Sequence, residues 1–508
     1  MEQKASPRAR WLSGLVLGGF VLSTAPVLAA PPASLTDALV DAYYNNPTLQ
    51  QQRAALRQAD EEVPAALSGW RPTVSFQGQI GRVTGVEKYA TTAINPVTNL
   101  PVTQSTRVPE NGTEKIGQLT LSQPIYSGGK TISQTRQAKN DVYTARAQLL
   151  SQEQTVFYSV VQAYVAVVTD QKLLDLQNNN QQVMTQQVHD TQTQFNLGEI
   201  TMTSVAQAQA SLAQAEQQVQ VAQGNLEIAR ENFRQLVGEY PAATLAPPQP
   251  LVLPVDDKSQ AGSMAVENNP DVIAAEFSDA SAKDAVDVAF SALMPQLSVQ
   301  ASAYNESGSS GQNIFTRGAS VIGQLTVPLY QGGQEYSAIR SAKAKEQQAF
   351  AGVLVAQRKA YAAATQAWEG MTSSRSAVLA ANAEIKANAI ALDGTEREEL
   401  VGTRTTLDVL NAQQALLNAQ IQQVQNISQM VNYSYNIASA IGRLTARDLS
   451  LPVQTYDDQK YYEAVKFAGF GFGGDADQDA GIAPDGSMLN VPPTPPVVPV
   501  SSSGQDSP

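Results

Sequence analysis

The sequence predicts a mainly α-helical chain built from two structural repeats, with a small membrane β-barrel that only several copies together can close. Three observations predict it. An internal repeat recurs at near-constant offset, four stretches of about ten residues alternate strictly between apolar and polar, and very long helical stretches carry a heptad seam. The chain has 508 residues, long enough for two to four ordinary domains or one elongated architecture. Only 16% of residues are charged, the net charge is −13, and the mean hydropathy of −0.22 is that of a water-soluble chain. That acidity argues against nucleic acid as a partner, which demands a positive surface. One His and no Cys exclude a multi-His metal site, thiol catalysis, Cys-ligated zinc, disulfides and attachment of a lipid to an N-terminal Cys.

Residues 1–29 read as a secretory signal. Lys4, Arg8 and Arg10 supply its positive region, Trp11 to Leu22 its apolar centre, and Val27-Leu28-Ala29 a small-residue cleavage site. The other reading is a short transmembrane anchor. No later stretch approaches the 18 consecutive apolar residues of a membrane-spanning helix. The exported chain is then either soluble or a β-barrel protein, whose apolar face is hidden by alternation.

The repeat sets the organisation. Asn45-Asn46-Pro47 returns as Asn268-Asn269-Pro270, and Trp70-Arg71-Pro72 as Leu293-Met294-Pro295, both at an offset of 223. QPIYSGGK at 123–130 returns as VPLYQGGQ at 327–334, and FNLGEITMTSVAQAQASL at 195–212 as ELVGTRTTLDVLNAQQAL at 399–416, both at an offset of 204. The 19-residue difference must fall between Pro72 and Pro124 and is expected to be a loop lengthened in the first copy. The first repeat occupies 30–254 and the second 255–452, with a Gly/Pro/Asp/Ser-rich tail at 453–508 expected to be disordered.

Each repeat starts with a helical stretch, about Ser34 to Leu67 and Ser263 to Ala292. Strands are expected at about 72–83, 115–126, 295–304 and 319–330. In the first, Val74, Phe76 and Ile80 face one way and Thr73, Ser75, Gln77 and Gln79 the other; in the third, Leu297 and Val299 oppose Ser298 and Gln300. Ten residues suit a tilted transmembrane strand, and an uncharged Ser/Thr/Gln face suits a wet lumen, although four strands of a soluble sheet would read alike. Long helices follow at about 127–195 and 331–399, and return helices at about 204–237 and 408–441. Along the first return helix the spacing 3,4,3,4 runs from Val205, Ala208, Leu212 and Ala215 to Phe233 and Leu236, a seam for left-handed supercoiling. The second copy keeps Val409, Ala412, Leu416 and Ala419, then places Gln423 and Asn426 on the seam.

A long helix of this length reaches roughly 100 Å, and each half-length helix roughly 50 Å. Two half-length helices stacked end to end therefore match one long one. The strands lie at one end of the rod, the Gly turns at the other, and the chain breaks at mid-height. Four strands cannot close a barrel and open edges cannot face lipid. A cyclic trimer gives a 12-stranded barrel continuous with 12 helix columns; a dimer gives eight of each. The width a secretion pore needs favours the homotrimer.

The NNP segment, PIYSGGK with its partner PLYQGG, FNLGEITMTSV and above all VGTRTTLDVLNAQQALLNAQ at 401–420 resemble the TolC family of outer-membrane efflux proteins, over about residues 35 to 452. The resemblance implies a homotrimer with a β-barrel in outer-membrane lipid and a long periplasmic α-barrel. It also implies docking to a periplasmic membrane-fusion adaptor and an inner-membrane transporter of RND or ABC type, with a gate at the helix tips. Lacking Cys, the chain is similar to the non-lipidated branch.

At the tips, Gly198 and Gly402 suit the left-handed position that ends each long helix. Ser204 with Gln207, and Asp408 with Asn411, stand where the next helix begins, and N-capping explains them without further assumption. The resemblance adds that the position of Asp408 faces the pore, so that threefold symmetry makes a carboxylate ring, weakened here because Asn411 replaces a second acid. Arg404 matches a gate arginine whose acidic partner falls at Ser204, beside Thr203, and whose neighbouring tyrosine is Glu399. Arg404 is therefore expected to meet the adaptor or another acid such as Glu399. Gln187 and Glu396 match further polar gate positions.

His189 has no metal-ligand companions. Gly128-Gly129 is followed by Lys130 and Thr131 but has Pro124 where a phosphate loop needs its first glycine, and Gly332-Gly333 is followed by Gln334, so both pairs more simply ease a strand-to-helix transition; Asn111-Gly112-Thr113 falls in the expected loop. No acid–base pair, nucleophile or cofactor motif stands out, so the chain reads as a non-enzyme with no cofactor. The leading expectation is a passive exit duct for efflux or type I secretion; the alternative is a soluble periplasmic coiled-coil scaffold.

Overall fold

The structure is a computed structural model that describes residues 31–308 and 315–472; the signal expected at 1–29 and the end of the tail lie outside the described residues. The first repeat runs α1 (Leu35–Asn45), α2 (Pro47–Asp60), α3 (Glu62–Leu67), β1 (Thr73–Ile94), β2 (Pro101–Ser127), α4 (Lys130–Leu197) and α5 (Met202–Val237). The second runs α6 (Lys258–Asn268), α7 (Pro270–Phe290), β3 (Gln296–Ser307), β4 (Phe315–Thr326), α8 (Gln334–Leu400) and α9 (Thr406–Ala440), and α10 (Lys460–Val465) follows.

α4 and α8 are continuous over 68 and 67 residues, about 100 Å each. Beyond mid-height α5 and α9 pack on α4, and α9 also on α8; nearer the sheet α2, α3 and α7 pack on α4, and α7 also on α8. The result is one layer four helix columns wide. Two columns are single helices and two are spliced.

The splices are made by the NNP segments. Asn46 precedes Pro47, which cannot donate and sits at the first turn of α2. The Asn46 Oδ1 accepts from the Thr48 and Leu49 amides at 2.9 and 3.4 Å, capping α2. Its Nδ2 donates across the joint to the Leu236 carbonyl in the last turn of α5, at 2.9 Å. The second copy repeats the arrangement: Asn269 Oδ1 accepts from the Asp271 amide at 2.9 Å and Nδ2 donates to the Ala440 carbonyl at 2.9 Å. One amide side chain thus satisfies a free donor of one helix and a free acceptor of the next. At the second joint the backbones approach so closely that a Cβ on Gly442, whose φ is +77°, would lie 2.3 Å from the Asn268 carbonyl oxygen.

The main apolar core surrounds the joints. Leu39, Tyr43, Phe157, Val160, Tyr164, Phe233 and Val237 are buried around the first, and Val272, Ala364, Ile437 and Ile441 around the second. Elsewhere the layer relies on the seam. Val205, Ala208, Ala215, Val219, Ala222, Leu226, Ala229 and Phe233 are buried, Leu212 is half-buried, and Val237 takes the place expected of Leu236. On α9 Val409 and Ala419 are buried, while Gln423 donates to Asn382 of α8 at 2.6 Å and Asn426 accepts from Gln422 of α9 itself at 3.0 Å, so Gln423 is the polar seam position that bonds across the helix pair.

The four strands form one antiparallel sheet in sequence order. Register aligns Val74, Leu121, Ala301 and Val321 across it, and the neighbouring rows align Ser75, Thr120, Ser302 and Ser320. One face is therefore apolar and the other carries hydroxyls and amides, with Ser302 and Ser320 in a 2.9 Å hydrogen bond. Each strand of the first copy outruns the expected span. The 19 additional residues are not a loop: β1 and β2 stay paired from Thr73–Ser122 to Ile94–Pro101, well past the end of β3 at Lys115–Ser307. Val, Thr and Tyr residues between 83 and 106 have the β-propensity to sustain this ribbon. The reversal occurs at 95–100, where Asn95 Oδ1 accepts from the Val97 amide and Asn99 takes a φ of 53°. Asn111 is paired with Thr84 within β2 and accepts from Arg82 at 3.1 Å. In the second copy β4 ends at Thr326, short of the expected 330, and the Gly pairs before α4 and α8 all have positive φ.

The tail also departs from expectation. Residues 453–468 form a strap that returns along α1 and α2 toward the sheet. The Tyr44 and Tyr43 hydroxyls accept from the Gln454 and Tyr456 amides, Tyr461 donates to Glu61 at 2.9 Å, and Arg71 donates to the carbonyls of Ala468 and Phe467. Tyrosine side chains at 456 and 461 supply the packing that its Gly- and Asp-rich composition conceals. Residues 473–508 lie outside the described residues.

Two predictions follow from the joints and the strap. Asn46→Ala and Asn269→Ala each lose a cap and a bridging bond, and should cost about 2 kcal/mol in urea unfolding. Asn46→Asp retains the cap acceptor but sets a carboxylate against the Leu236 carbonyl; if it is as stable as the parent, the bridge contributes nothing. Asp60 is buried with both oxygens unpartnered, and burial pushes its pKa up to about 7. The folded state then holds a proton that the unfolded chain releases near pH 4, so this site loses stability as pH rises from about 4 to about 7. Unfolding free energies of Asp60→Asn should lack that decline; equal pH dependence in both proteins would refute the assignment.

Candidate functional site

The two helix tips are built alike. At the end of α4 the Gly198 amide donates to the Phe195 carbonyl at 2.9 Å and the Glu199 amide to Gln194 at 3.0 Å, with Gly198 at a φ of +82°. At the end of α8 the Gly402 amide donates to Glu399 at 2.8 Å and the Thr403 amide to Glu398 at 2.9 Å, with Gly402 at +78°. This paired closure needs the left-handed region at its glycine, which explains both Gly198 and Gly402.

The entries to the return helices differ. Thr405 is the N-cap of α9, and Asp408 is its third residue. The Thr405 amide and hydroxyl donate to Asp408 Oδ2 at 2.9 and 2.8 Å, and the Asp408 amide donates back to Thr405 Oγ1 at 3.3 Å. This is a capping box with Asp in the place usual for Glu. The bonds from Thr405, backbone first, hold the Asp408 carboxyl below its ordinary range. In α5 the N-cap is Thr201 and makes no side-chain cap bond; Ser204 is half-buried, bonded only through its amide to the Thr201 carbonyl at 3.1 Å, and Thr203 is exposed. Neither Ser204 nor Asp408 is itself the N-cap. The pattern Thr-x-x-Asp at 405–408 carries the signal for the box, and it identifies Thr405.

Arg404 pairs with Glu398, Nε to Oε2 at 3.0 Å, and not with Glu399. The geometry is local: Arg404 lies just past the turn whose carbonyl at Glu398 accepts from Thr403, so the Glu398 side chain is on the same side. Glu399 points elsewhere, half-buried with Oε1 enclosed and without a hydrogen-bond partner. Glu396 is exposed in the last turns of α8, and Gln187 is half-buried on α4 with its carbonyl accepting from Thr191 at 2.6 Å. Asn411 does not join the Asp408 box. It lines a groove of about 380 Å³ between α4, α5 and α9, half of whose lining residues are amides, with Gln177, Gln214 and Gln414 among them. Beneath it Met184, Ala215 and Leu410 form the small apolar contact that joins the two tip hairpins.

His189 is exposed, and among the described residues no cluster of His, Cys, Asp or Glu could hold a metal ion. No described helix is long and apolar enough to cross a membrane. The tips present exposed charge held by local bonds, which suits contact and electrostatic filtering.

The capping box makes a prediction about pH. Because Asp408 titrates below the unfolded value of about 3.9, its contribution is complete above that value and is lost as pH falls through the lower folded pKa. Amide exchange in the first turn of α9, corrected for intrinsic rate, should therefore accelerate below about pH 4 in the parent. Thr405→Ala should show the fast exchange already at pH 7; unchanged protection in that variant would count against the box.

Comparison with known proteins places this geometry. The model of the outer membrane efflux protein family matches residues 38–239 and 261–443, one segment in each repeat. The chain is 33% identical over 461 residues to outer membrane efflux protein BepC of Brucella suis biovar 1 (strain 1330), covering 91% of this chain and 94% of that protein. It is 28% identical over 324 residues to outer membrane protein TolC of Escherichia coli (strain K12), covering 58% of this chain and 63% of that protein. Its fold matches the outer membrane channel CmeC of Campylobacter jejuni with a TM-score of 0.68 at 19% identity, covering 85% of this chain and 89% of that one. The repeats, the sheet and the tip hairpins thus have their counterpart in one group of proteins, and the chain belongs to the outer membrane efflux protein family.

Proposed function

We propose that three copies of this chain form an exit duct through the outer membrane, with a 12-stranded β-barrel continuous with a 12-helix periplasmic tunnel. The observation that carries this reading is the sheet. Its apolar face is bare in the protomer, with Val321 75% and Phe76 73% exposed, and β1 and β4 are edges paired on one side only. Such a sheet is stable in lipid only if copies pair edge to edge. Twelve strands spaced about 4.8 Å and tilted about 40° enclose a ring about 24 Å across, whereas eight give a barrel filled by its own side chains.

The duct does no chemistry; it is a channel and not an enzyme. Cargo enters from an inner-membrane transporter of RND or ABC type through a periplasmic membrane-fusion adaptor that meets the helix tips. The tips are the gate. Around a threefold axis Asp408 supplies a ring of three carboxylates, with Asn411 one turn on, and Arg404, Ser204, Thr203, Gln187, Glu396 and Glu399 form the surrounding polar wall. The Arg404–Glu398 pair fastens the turn of each tip within its own protomer, which leaves the closed state without a salt bridge from Arg404 to position 204. The low share of charge elsewhere supports a lumen that passes solutes without holding them.

Fractionation and planar-bilayer recording test this. The mature protein should sediment with outer membranes, run as a trimer in mild detergent and conduct with block by a trivalent cation from the periplasmic side. Asp408→Ala should weaken that block at least tenfold. A fully soluble monomer would favour the scaffold reading, and unchanged block would remove Asp408 from the constriction.

A further inference from the structure

Beneath the strap, on the sheet side of the joints, lies a pocket of about 460 Å³ lined by four arginines: Arg53 of α2, Arg146 of α4, and Arg443 and Arg447 just past α9. Its charges do not cancel. Arg443 pairs with Asp448 at 3.2 Å, and Arg146 lies 3.4 Å from Asp458 of the strap. Glu153 is the remaining acid in the lining, and its Oε1 is taken by the Ala446 amide at 2.7 Å. Burial pushes the Glu153 pKa up, against the pull of Arg53 and Arg447, whose charges face it. Four arginines thus meet three carboxylates in the lining, which leaves one positive charge in excess.

Some of the arginine donors are also unpartnered. Arg53 is only 3% exposed; its Nη2 donates to the Tyr43 carbonyl at 3.0 Å, but its Nη1 is buried without a hydrogen-bond partner. Tyr43 and Tyr456 flank its guanidinium, 4.6 and 5.5 Å from ring centre to Cζ, and fix its plane. Arg146 likewise has Nε and Nη2 buried without a hydrogen bond. A buried cation with an unused donor is costly, and a guanidinium held rigid between rings is the group best suited to receive a planar or tetrahedral oxyanion. The volume is that of a small-molecule site rather than of one bridging water.

We propose that this pocket, between the sheet and the joints, binds a small solute bearing a carboxylate or phosphate group, received by Arg53 Nη1 and by Arg146 Nη2 beside the ion pair of Arg146 with Asp458. Arg447, exposed at the mouth, completes the positive field. Arg146 lies about 24 Å along α4 from its start at the sheet, beyond the reach of lipid headgroups, so the ligand comes from the surrounding solution. Bound there, it ties the strap, α2, α4 and the end of α9 together. The proposal is independent of the transport reading.

The test uses the full chain in detergent, titrated with inorganic phosphate and with citrate at constant ionic strength, read by calorimetry and by thermal midpoint. Saturable binding with a rise in midpoint is expected for at least one of the two. Arg53→Gln and Arg447→Gln should each raise the half-saturating concentration at least tenfold, while Arg375→Gln, which removes an exposed arginine outside the pocket, should leave it unchanged. Should Arg53→Gln fail to fold, Arg447→Gln decides alone. Responses to phosphate and citrate no greater than to chloride, or equal losses in all three variants, would overturn the proposal. Displacement of citrate by phosphatidylglycerol in mixed micelles would also overturn it, since it would assign the pocket to a headgroup.

Discussion

The architecture depends on one constraint: helices of half the height must be joined end to end beside helices of full height, in an interior where no backbone group can go unpaired. A helix end leaves carbonyls free and a helix start leaves amides free. Asn46 and Asn269 meet both needs with a single side chain, accepting from the helix below their own proline and donating to the one that ends opposite. Asp could cap but not donate, Lys could donate but not cap, and Ser does both from a single atom; the amide offers an acceptor and a donor on separate atoms that reach opposite ways. The main apolar core gathers where these joints are, and the connection between repeats crosses at the same height, with the Tyr164 hydroxyl donating to the Ala246 carbonyl at 2.8 Å.

Above and below that level the chain solves two different solvation problems with the same economy of charge. In the helical layer, alternation of large and small residues on the seam lets backbones approach, and amide pairs such as Gln423 with Asn382 replace the charged flanks of an isolated coiled coil. In the sheet, register places whole rows of one polarity on one face, so that Val74 to Val321 form an apolar band and Ser75 to Ser320 a hydroxyl band. A composition that resembles an ordinary soluble chain is the sum of these two arrangements.

Where a signal is periodic or recurs at fixed offset, the fold could be read from residues. The helix pairs, the four core strands, the glycine turns and the mid-height stacking all follow from spacing and length, since hydrophobic period and rise per residue are properties of the backbone. The departures share a different cause. The ribbon at 83–114 and the strap at 453–468 lack an apolar face of their own, and each is ordered by pairing with something distant or by a few aromatic contacts, which local composition does not reveal. The tip was read three positions out in both return helices because Asp and Ser suggest caps by residue type, whereas the N-cap is the threonine three residues earlier. The choice of Glu398 over Glu399 as the neighbour of Arg404 rests on a rotation of about 100° between adjacent helical residues, a distinction that no motif encodes.

The splices also have a mechanical side. Because α4 and α8 run unbroken past both joints, while the columns beside them are interrupted at one shared level, the layer is a staggered masonry in which bending is resisted by two continuous members. The same level also holds the main apolar core, so the interrupted columns are broken where the layer is packed most heavily, and side-chain packing takes over there from the helical hydrogen bonds that the spliced columns lack.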